Sequence, residues 1–154
     1  MTTPAAPVFL EDLFIAQAQR NLDVGKSLAT TGAEWACVVA QQAAELAMKS
    51  LLLALGHHMD RLKGPETGHG LKQIWENFLM RSQSFTEADL NLLQEAYIPA
   101  RYPKSDTPQA IFAVRNVSDY LSAAERIVLA SATILPNLRA IRSSLNAPAP
   151  PPKP

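Results

Sequence analysis

The sequence predicts an all-α fold, an up-and-down bundle of four to five helices. Ala and Leu dominate a chain of 154 residues that is 47% apolar and 18% charged. Apolar residues recur at steps of three and four, while the β-branched residues are too scattered for the alternation of a strand. Glycines and prolines separate the periodic segments, and the length suits one domain with one substantial core.

Both ends of the chain are rich in proline. Residues 1–7 are MTTPAAP, and residues 146–154 are NAPAPPPKP. Such sequence offers few backbone donors and few side chains to bury, so we expect both segments to be disordered. The predicted domain therefore comprises residues 8–145.

Apolar spacing and glycines define the first two helices. An apolar stripe predicts a first helix from residue 8 to about residue 29, ended by Gly32. The stripe consists of Ile15, Ala18, Leu22, Gly25 and Ala29. Thr31, with Glu34 three residues later, has the form of a capping box for a second helix that Gly56 stops. At 1.5 Å per residue this second helix is expected to be ~34 Å long.

The second helix combines a small face with a polar strip. Its alanines keep one side narrow enough for another helix to approach closely. They are Ala36, Ala40, Ala43, Ala47 and Ala54. The polar strip consists of Gln41, Gln42, Glu45 and Lys49. Within it, Glu45 and Lys49 have the order of a favourable i to i+4 ion pair.

Two shorter helices are expected next. After the polar loop 56–68, the segment LKQIWENFLM at residues 71–80 has one apolar face and predicts a short third helix. A fourth helix begins with Thr86 as its N-cap and carries acidic residues in its first turn. We expect it to end at Pro99, because the residue before a proline is disfavoured in the α conformation.

A long fifth helix follows. Thr107 and Pro108 provide an N-cap hydroxyl and a proline at the first helical position, where its missing N–H costs nothing. The helix is expected to reach Leu135. Pro136 should kink or break it, and we expect the following NLRAIRSSL to form a last short helix.

The aromatic residues of the helices and the one cysteine are expected in the core. Trp35, Trp75, Phe78 and Tyr120 lie at helical spacing among Leu and Ala. Cys37 lies in the alanine-rich part of the second helix, where a thiol behaves as a small hydrophobe. A single cysteine also excludes an internal disulfide.

The segment YIPARYPKSDTP, residues 97–108, is the candidate functional segment. A connection between two helices explains its prolines, but not Arg101, Tyr102 and Lys104. In one interpretation, Arg101 caps the last carbonyls of the fourth helix or pairs with a nearby carboxylate. In the other, Arg101 supplies a planar fork and Tyr102 a stacking face, which together clamp a phosphate or nucleotide.

An up-and-down bundle is expected to place loops 56–68 and 99–107 at the same pole. The loop histidines would then lie near the candidate segment; they are His57, His58 and His69. From Pro99 onwards the chain has seven Lys and Arg against three Asp and Glu. The bundle is therefore predicted to have one basic end that contains histidine.

Charge and motifs exclude several classes of protein. Fourteen basic and fourteen acidic residues cancel, so no global field attracts nucleic acid or a membrane. The phosphate-binding motif GxxxxGK[ST] and the dinucleotide motif GxGxxG are absent. The histidines and Asp60 lack the spacing of a metal site, so no metal or cofactor is expected. No secretory leader precedes the first helix, and the longest apolar run, SLLLALG, is too short to cross a bilayer, which predicts a cytoplasmic protein.

Three stretches of the chain together resemble the HEPN superfamily, in particular its bacterial and sacsin-like branch. They are EWACVVAQQAAELAMKSLLLALG on the second helix, GHGL before the third and YIPARYP after the fourth. The combination of the Gln-Gln-Ala-Ala-Glu run with the distant Pro-Ala-Arg-Tyr-Pro segment is more specific than either part alone. The resemblance covers about residues 10–130.

The resemblance implies a helical bundle that forms homodimers. Some members of the family are proposed nucleotide binders, many are encoded beside a minimal nucleotidyltransferase, and others are metal-independent ribonuclease toxins. The ribonucleases use an Arg followed after a short spacer by a His. Arg101 matches the Arg, but Asp106 stands five residues on and no histidine follows His69. Aspartate titrates too low to replace imidazole as the proton-exchanging group.

The first hypothesis is a HEPN-type module without catalytic residues. It binds a nucleotide or RNA phosphate, or it partners a nucleotidyltransferase in a system of the toxin-antitoxin kind. Its predicted binding residues are Arg101, Tyr102, Lys104 and His69. One alternative is a ribonuclease toxin that pairs Arg101 with a histidine from residues 56–69. Another is a purely structural dimerisation scaffold.

Overall fold

A computed structural model describes residues 8–58, 71–76, 86–101 and 114–146. Within these ranges the chain forms helices and no strand. The helices are α1 (Leu10–Leu28), α2 (Ala33–Ala54), α3 (Leu71–Ile74), α4 (Glu87–Arg101) and α5 (Val114–Leu145). The all-α helical bundle expected from the sequence is confirmed.

Helix α2 lies at the centre of the bundle and contacts each of the other four helices. Its alanine face is fully buried, as predicted; Ala36, Ala40, Ala43, Ala47 and Ala54 are all inaccessible to solvent. Larger side chains of the same helix, including Met48 and Leu52, fill the space around these alanines. Because an alanine projects only one carbon from the backbone, the neighbouring helices approach α2 closely.

Side-chain contacts define the directions of α1, α2 and α5. A Cβ atom added at Gly25 would lie 2.8 Å from Cδ2 of Leu121 and 3.0 Å from Cγ2 of Val39, so the end of α1 meets the beginnings of α2 and α5. At the other end of the bundle, Arg142 Nη1 donates a hydrogen bond of 3.3 Å to the carbonyl of Leu53. Helices α2 and α5 are therefore parallel, and α1 is antiparallel to both.

Ion pairs hold α1 against α5 along its length. Lys26 Nζ lies 2.6 Å from Glu125 Oε1 near the end of α1. Arg139 donates hydrogen bonds of 3.2 Å to Glu11 and 2.6 Å to Asp12 near its beginning. The Arg139 guanidinium also lies 4.5 Å from the ring centroid of Phe9, within the range of a cation–π interaction. The buried carboxylate of Glu11 thus has a partner in the opposite helix.

Helix α4 is antiparallel to α5. Arg126 donates to both carboxylate oxygens of Asp89, with the shortest contact 2.6 Å from Nη2 to Oδ1. Glu95 lies six residues after Asp89 in α4, and Tyr120 lies six residues before Arg126 in α5. The negative charge of Glu95 contributes to the raised pKa of Tyr120, so these two residues also lie near each other. The C-terminal end of α4 therefore points towards the beginning of α5.

Three helix termini, the start of α4 and both ends of α2, test the predicted caps. The Thr86 hydroxyl accepts a 3.3 Å hydrogen bond from the Asp89 N–H, which confirms the N-cap of α4. Gly56 has φ +98°, and its N–H and that of His57 bond back to Leu53 and Leu52, both at 3.0 Å. This Schellman arrangement confirms Gly56 as the stop of α2. The capping box is wrong, because Gly32 is the N-cap of α2 and no side chain caps that end.

Two prolines do not end their helices. Helix α4 continues through Pro99 to Arg101, and α5 continues through Pro136 to Leu145 without the expected break. Each proline removes one backbone hydrogen bond. At Pro99 only two further helical residues follow, so little helix depends on the lost bond. At Pro136 both flanks are held, by packing of Leu135 on α2 before it and by the Arg139 ion pairs after it.

The core contains most of the predicted aromatic residues that the structure describes. Trp75 and Tyr120 are buried as expected, whereas Phe78 lies outside the described residues. Trp35 is 65% exposed, so its assignment to the core is wrong. It stands two helical turns before Gln42 and three before Leu46, on the face of α2 that the other helices leave partly uncovered.

Helix α2 is long and apolar enough to cross a membrane, with a mean hydropathy of 1.2, and in the described ranges it is the only such helix. However, 78% of its apolar window is buried by the rest of the bundle. Such extensive burial is typical of the central helix of a bundle.

The close approach at Gly25 gives a test of the packing. We expect Gly25→Leu to destabilise the fold by about 1–3 kcal/mol, because the added side chain must displace Leu121 and Val39. Gln19→Leu, on an exposed position of the same helix, is the matched control and should change stability by less than about 0.5 kcal/mol. Urea unfolding followed by circular dichroism measures both. Equal effects of the two substitutions would contradict the tight α1–α2–α5 contact.

Candidate functional site

Arg101 is the last residue of α4. The first five residues of the candidate segment, residues 97–101, therefore belong to α4. Tyr102, Lys104 and His69 lie outside the described residues. The binding role of these four residues stays a prediction.

The position of Arg101 in the bundle follows from the antiparallel packing of α4 and α5. Arg101 lies six residues beyond Glu95, or ~9 Å further along the helix axis. Val114, the first residue of α5, lies the same distance before Tyr120. Because Tyr120 is level with the beginning of α2, the end of α4 lies near the turn that joins α1 to α2.

The described histidines lie at the opposite end of the molecule. His57 and His58 follow the C-terminal end of α2, beside Arg142 of α5. Helix α2 has 22 residues and is ~33 Å long, so roughly that distance separates them from Arg101. The prediction that both loops share one pole is therefore wrong for their described residues. The parallel arrangement of α2 and α5 causes this result, because a simple alternating bundle would make them antiparallel.

Negative charge surrounds the described side chains near the end of α4. Burial raises the pKa of Cys37 to about 12, and the charge of Glu34 adds to this effect. Burial also raises the pKa of Tyr120, and the negative charges that contribute include Glu95 and Asp119. Where side chains are described, this end is acidic rather than basic. Any anion bound by Arg101 must therefore be held by the local segment against an unfavourable background.

Cys37 is a core residue, as predicted. Its side chain is 1% exposed and packs in the main hydrophobic cluster. Because only the thiolate is a strong nucleophile, a pKa of about 12 leaves the thiol unreactive near neutral pH. Nucleophilic catalysis by Cys37 is thus excluded on chemical grounds.

The polar strip of α2 is largely buried, which the sequence pattern did not reveal. Gln41 and Glu45 are buried, and Lys49 is half-buried. Lys49 Nζ lies 2.7 Å from Glu45 Oε1, which confirms the predicted ion pair, and Gln41 Nε2 lies 3.5 Å from Glu45 Oε2. Charged side chains are rarely buried unless they are paired. The residues of α2 on both sides of this strip are mostly apolar, and this flanking pattern was the available signal for its burial.

A small surface cavity of about 190 Å³ opens beside this strip. Asn21, Gln42, Glu45 and Leu46 line it. Two carboxamides and a carboxylate offer hydrogen-bond donors and acceptors to a small polar molecule. In the parts of the chain that the structure describes, no three His, Cys, Asp or Glu residues are grouped to hold a metal ion.

The model of the HEPN domain matches residues 12–134, which is most of the chain. The chain belongs to the HEPN family.

A solved structure supports this membership. The crystal structure of TT1696 from Thermus thermophilus is similar to this HEPN chain, with a TM-score of 0.67 and 26% sequence identity. The similarity covers 82% of this chain and 98% of that chain. No curated protein matches the sequence. The two chains therefore share a fold, and this similarity assigns no ligand to the end of α4.

The raised pKa of Cys37 predicts a pH dependence of stability. In the unfolded chain the thiol ionises near pH 9, whereas in the fold it stays protonated to about pH 12. The contribution of Cys37 is therefore complete below pH 9 and falls by about 1.4 kcal/mol per pH unit between these values. Urea unfolding of the wild type and Cys37→Ala from pH 8 to 10.5 measures it. A stability difference between the two that is constant with pH would contradict the prediction.

Proposed function

We propose that this HEPN domain does not cleave RNA and that it binds the phosphate of a nucleotide or of RNA through the segment that begins at Arg101. Arg101 supplies a bidentate donor, Lys104 a second positive charge and Tyr102 an aromatic face for a base. His69 is the fourth proposed contact. In the cell we propose a cytoplasmic homodimer that works as the partner of a minimal nucleotidyltransferase.

The absence of a suitable histidine carries the non-catalytic part of the proposal. No histidine follows His69 in the sequence, so Arg101 lacks the downstream histidine that the ribonucleases of the family use. His57 and His58 lie at the opposite end of α2, too far from Arg101 to share a proton with it in one protomer. Cleavage by attack of a 2'-hydroxyl requires a group that exchanges protons near neutral pH.

The placement of Arg101 supports the binding part of the proposal. Arg101 is the last residue of α4, and Tyr102 and Lys104 follow it within three residues in the sequence. The acidic residues Glu34, Glu95 and Asp119 weaken long-range attraction of an anion, so recognition depends on short charge-assisted hydrogen bonds. Such contacts retain more of their strength in salt than a diffuse basic surface does.

A dimerisation scaffold is the second candidate function. The exposed ring of Trp35 favours it, because an indole that is 65% exposed is costly in a monomer and is typical of protein interfaces. In this alternative Arg101 has only a structural role at the end of α4. The two candidates differ in whether a phosphate ligand depends on Arg101.

Ligand titration tests the binding proposal. We expect ATP or a short single-stranded RNA to bind the wild type, and Arg101→Ala to weaken that affinity by about 10- to 100-fold, since hydrogen bonds to charged groups contribute about 1.5–3 kcal/mol. Arg20→Ala, on an exposed part of α1, is the control and should retain wild-type affinity. Isothermal titration calorimetry measures all three proteins. Binding that is absent, or equal in all three, would leave the scaffold as the better assignment.

Incubation with RNA tests the non-catalytic assignment. We expect a long single-stranded RNA to remain intact with the wild type, as it does with Arg101→Ala and His69→Ala. Gel electrophoresis after prolonged incubation measures cleavage. RNA degradation by the wild type that both substitutions abolish would replace the proposal with a ribonuclease that uses Arg101 and His69.

A further inference from the structure

An apolar groove lies where α5 ends beside the C-terminal end of α2. It has a volume of about 350 Å³ and is lined by Leu55, Gly56, Leu138, Ile141, Arg142 and Leu145, with Asn146 at its edge. Three of the apolar side chains are strongly exposed: Leu55 by 42%, Ile141 by 55% and Leu145 by 79%. Three large aliphatic side chains around one groove form a patch that would be more stable if covered.

Two backbone carbonyls beside this groove already have hydrogen-bond partners. The carbonyl of Leu53 accepts hydrogen bonds from the N–H of Gly56 at 3.0 Å and from Arg142 at 3.3 Å. The carbonyl of Leu52 accepts the N–H of His57 at 3.0 Å. An occupant of the groove therefore gains little from backbone donors of its own. It gains mainly from apolar contact.

The chain segment that leaves the groove has the matching chemistry. Residues 147–154 are APAPPPKP, in which five of eight residues are proline. Proline has no N–H to leave unsatisfied when its ring packs against an apolar surface. Such a segment is also stiff before binding, so it loses less conformational entropy than a flexible one when it becomes ordered.

The reach and direction of this segment are suitable. Helix α5 ends at Leu145, at the edge of the groove, and Pro148 disfavours the α conformation at the residue before it. From Leu145 back to Leu138 the groove runs ~10 Å along the helix, whereas eight residues in a polyproline conformation extend ~25 Å. The tether also gives the segment an effective concentration in the millimolar range, so even weak contacts are sufficient.

We propose that residues 147–154 fold back onto the groove between Leu55 and Ile141 and cover it with their prolines. The groove and its occupant are then parts of the same chain. The segment shields Leu55, Ile141 and Leu145 from solvent and from other proteins. This proposal is independent of phosphate binding at Arg101, which lies at the other end of α2.

A spin label at the end of the segment tests the proposal on the full-length protein. In Lys153→Cys the new thiol can be labelled selectively, because Cys37 is buried and unreactive. We expect the label to cause a loss of amide signal intensity at Leu55, Gly56 and Ile141 in the NMR spectrum of the isotope-labelled protein. Intensities at Leu129, on the same helix but outside the groove, should be unchanged. Unchanged intensities around the groove would overturn the proposal.

Matched groove variants make the test specific. Ile141→Asp should abolish the intensity loss, whereas Leu129→Asp should preserve it, although Ile141 and Leu129 are 55% and 58% exposed on the same helix. Because both side chains are exposed, we expect both variants to fold. The NMR spectrum of each variant checks this.

Two further samples identify other occupants. A mixture of two samples detects contacts between two copies of the chain. One sample carries the spin label and no isotope label, and the other carries the isotope label and no spin label. A label at Thr2→Cys detects the N-terminal segment in the groove. Intensity loss around the groove only in the mixed sample, or only from the label at residue 2, would overturn the assignment of residues 147–154.

Discussion

The small face of α2 is the constraint on which the bundle depends. The alanines from Ala36 to Ala54 and Gly25 of α1 remove the side-chain volume that would separate the helices. Helices α1 and α5 therefore approach α2 closely enough for Leu121 to reach the backbone of α1 and for Arg142 to reach the last carbonyls of α2. Three helices consequently share one core, and α4 is added to it through Asp89 and Arg126. The ion pairs fix relative positions, but the close packing determines which helices become neighbours.

This arrangement separates the chemistry of the two ends of the molecule. Because α5 runs parallel to α2, the connection after α2 and the end of α4 lie at different ends, so the described histidines and Arg101 do not meet. One end has Arg142 and the two histidines beside an apolar groove. The other has Arg101 close to Glu34, Glu95 and Asp119. The HEPN fold is thus clear, and the proposed binding segment lies at one end of it.

Local signals in the sequence predicted local structure well. Thr86 and Gly56 mark helix ends by hydrogen bonding and by a left-handed backbone, and neither depends on distant residues. The capping box of Thr31 and Glu34 is a local failure, whereas the other failures involve longer-range structure. Pro136 lies in a helix that packing and ion pairs hold on both sides, and Pro99 is followed by only two helical residues. Trp35 follows an apolar period on a face that the other helices leave partly uncovered. The order of helices along the chain did not reveal that α2 and α5 are parallel. The residues of the candidate site could therefore be recognised, but their relative positions could not be predicted.

The apolar character of α2 has a consequence for biosynthesis. Its length and hydropathy equal those of a membrane-spanning helix, and it loses that character only when the rest of the bundle buries it. Helix α5, which supplies much of that cover, is translated much later, and at about 5–20 residues per second the delay is several seconds. During that interval α2 lacks the cover that α5 provides in the finished bundle. Its apolar surface therefore reaches its full burial only after the last helix has been synthesised.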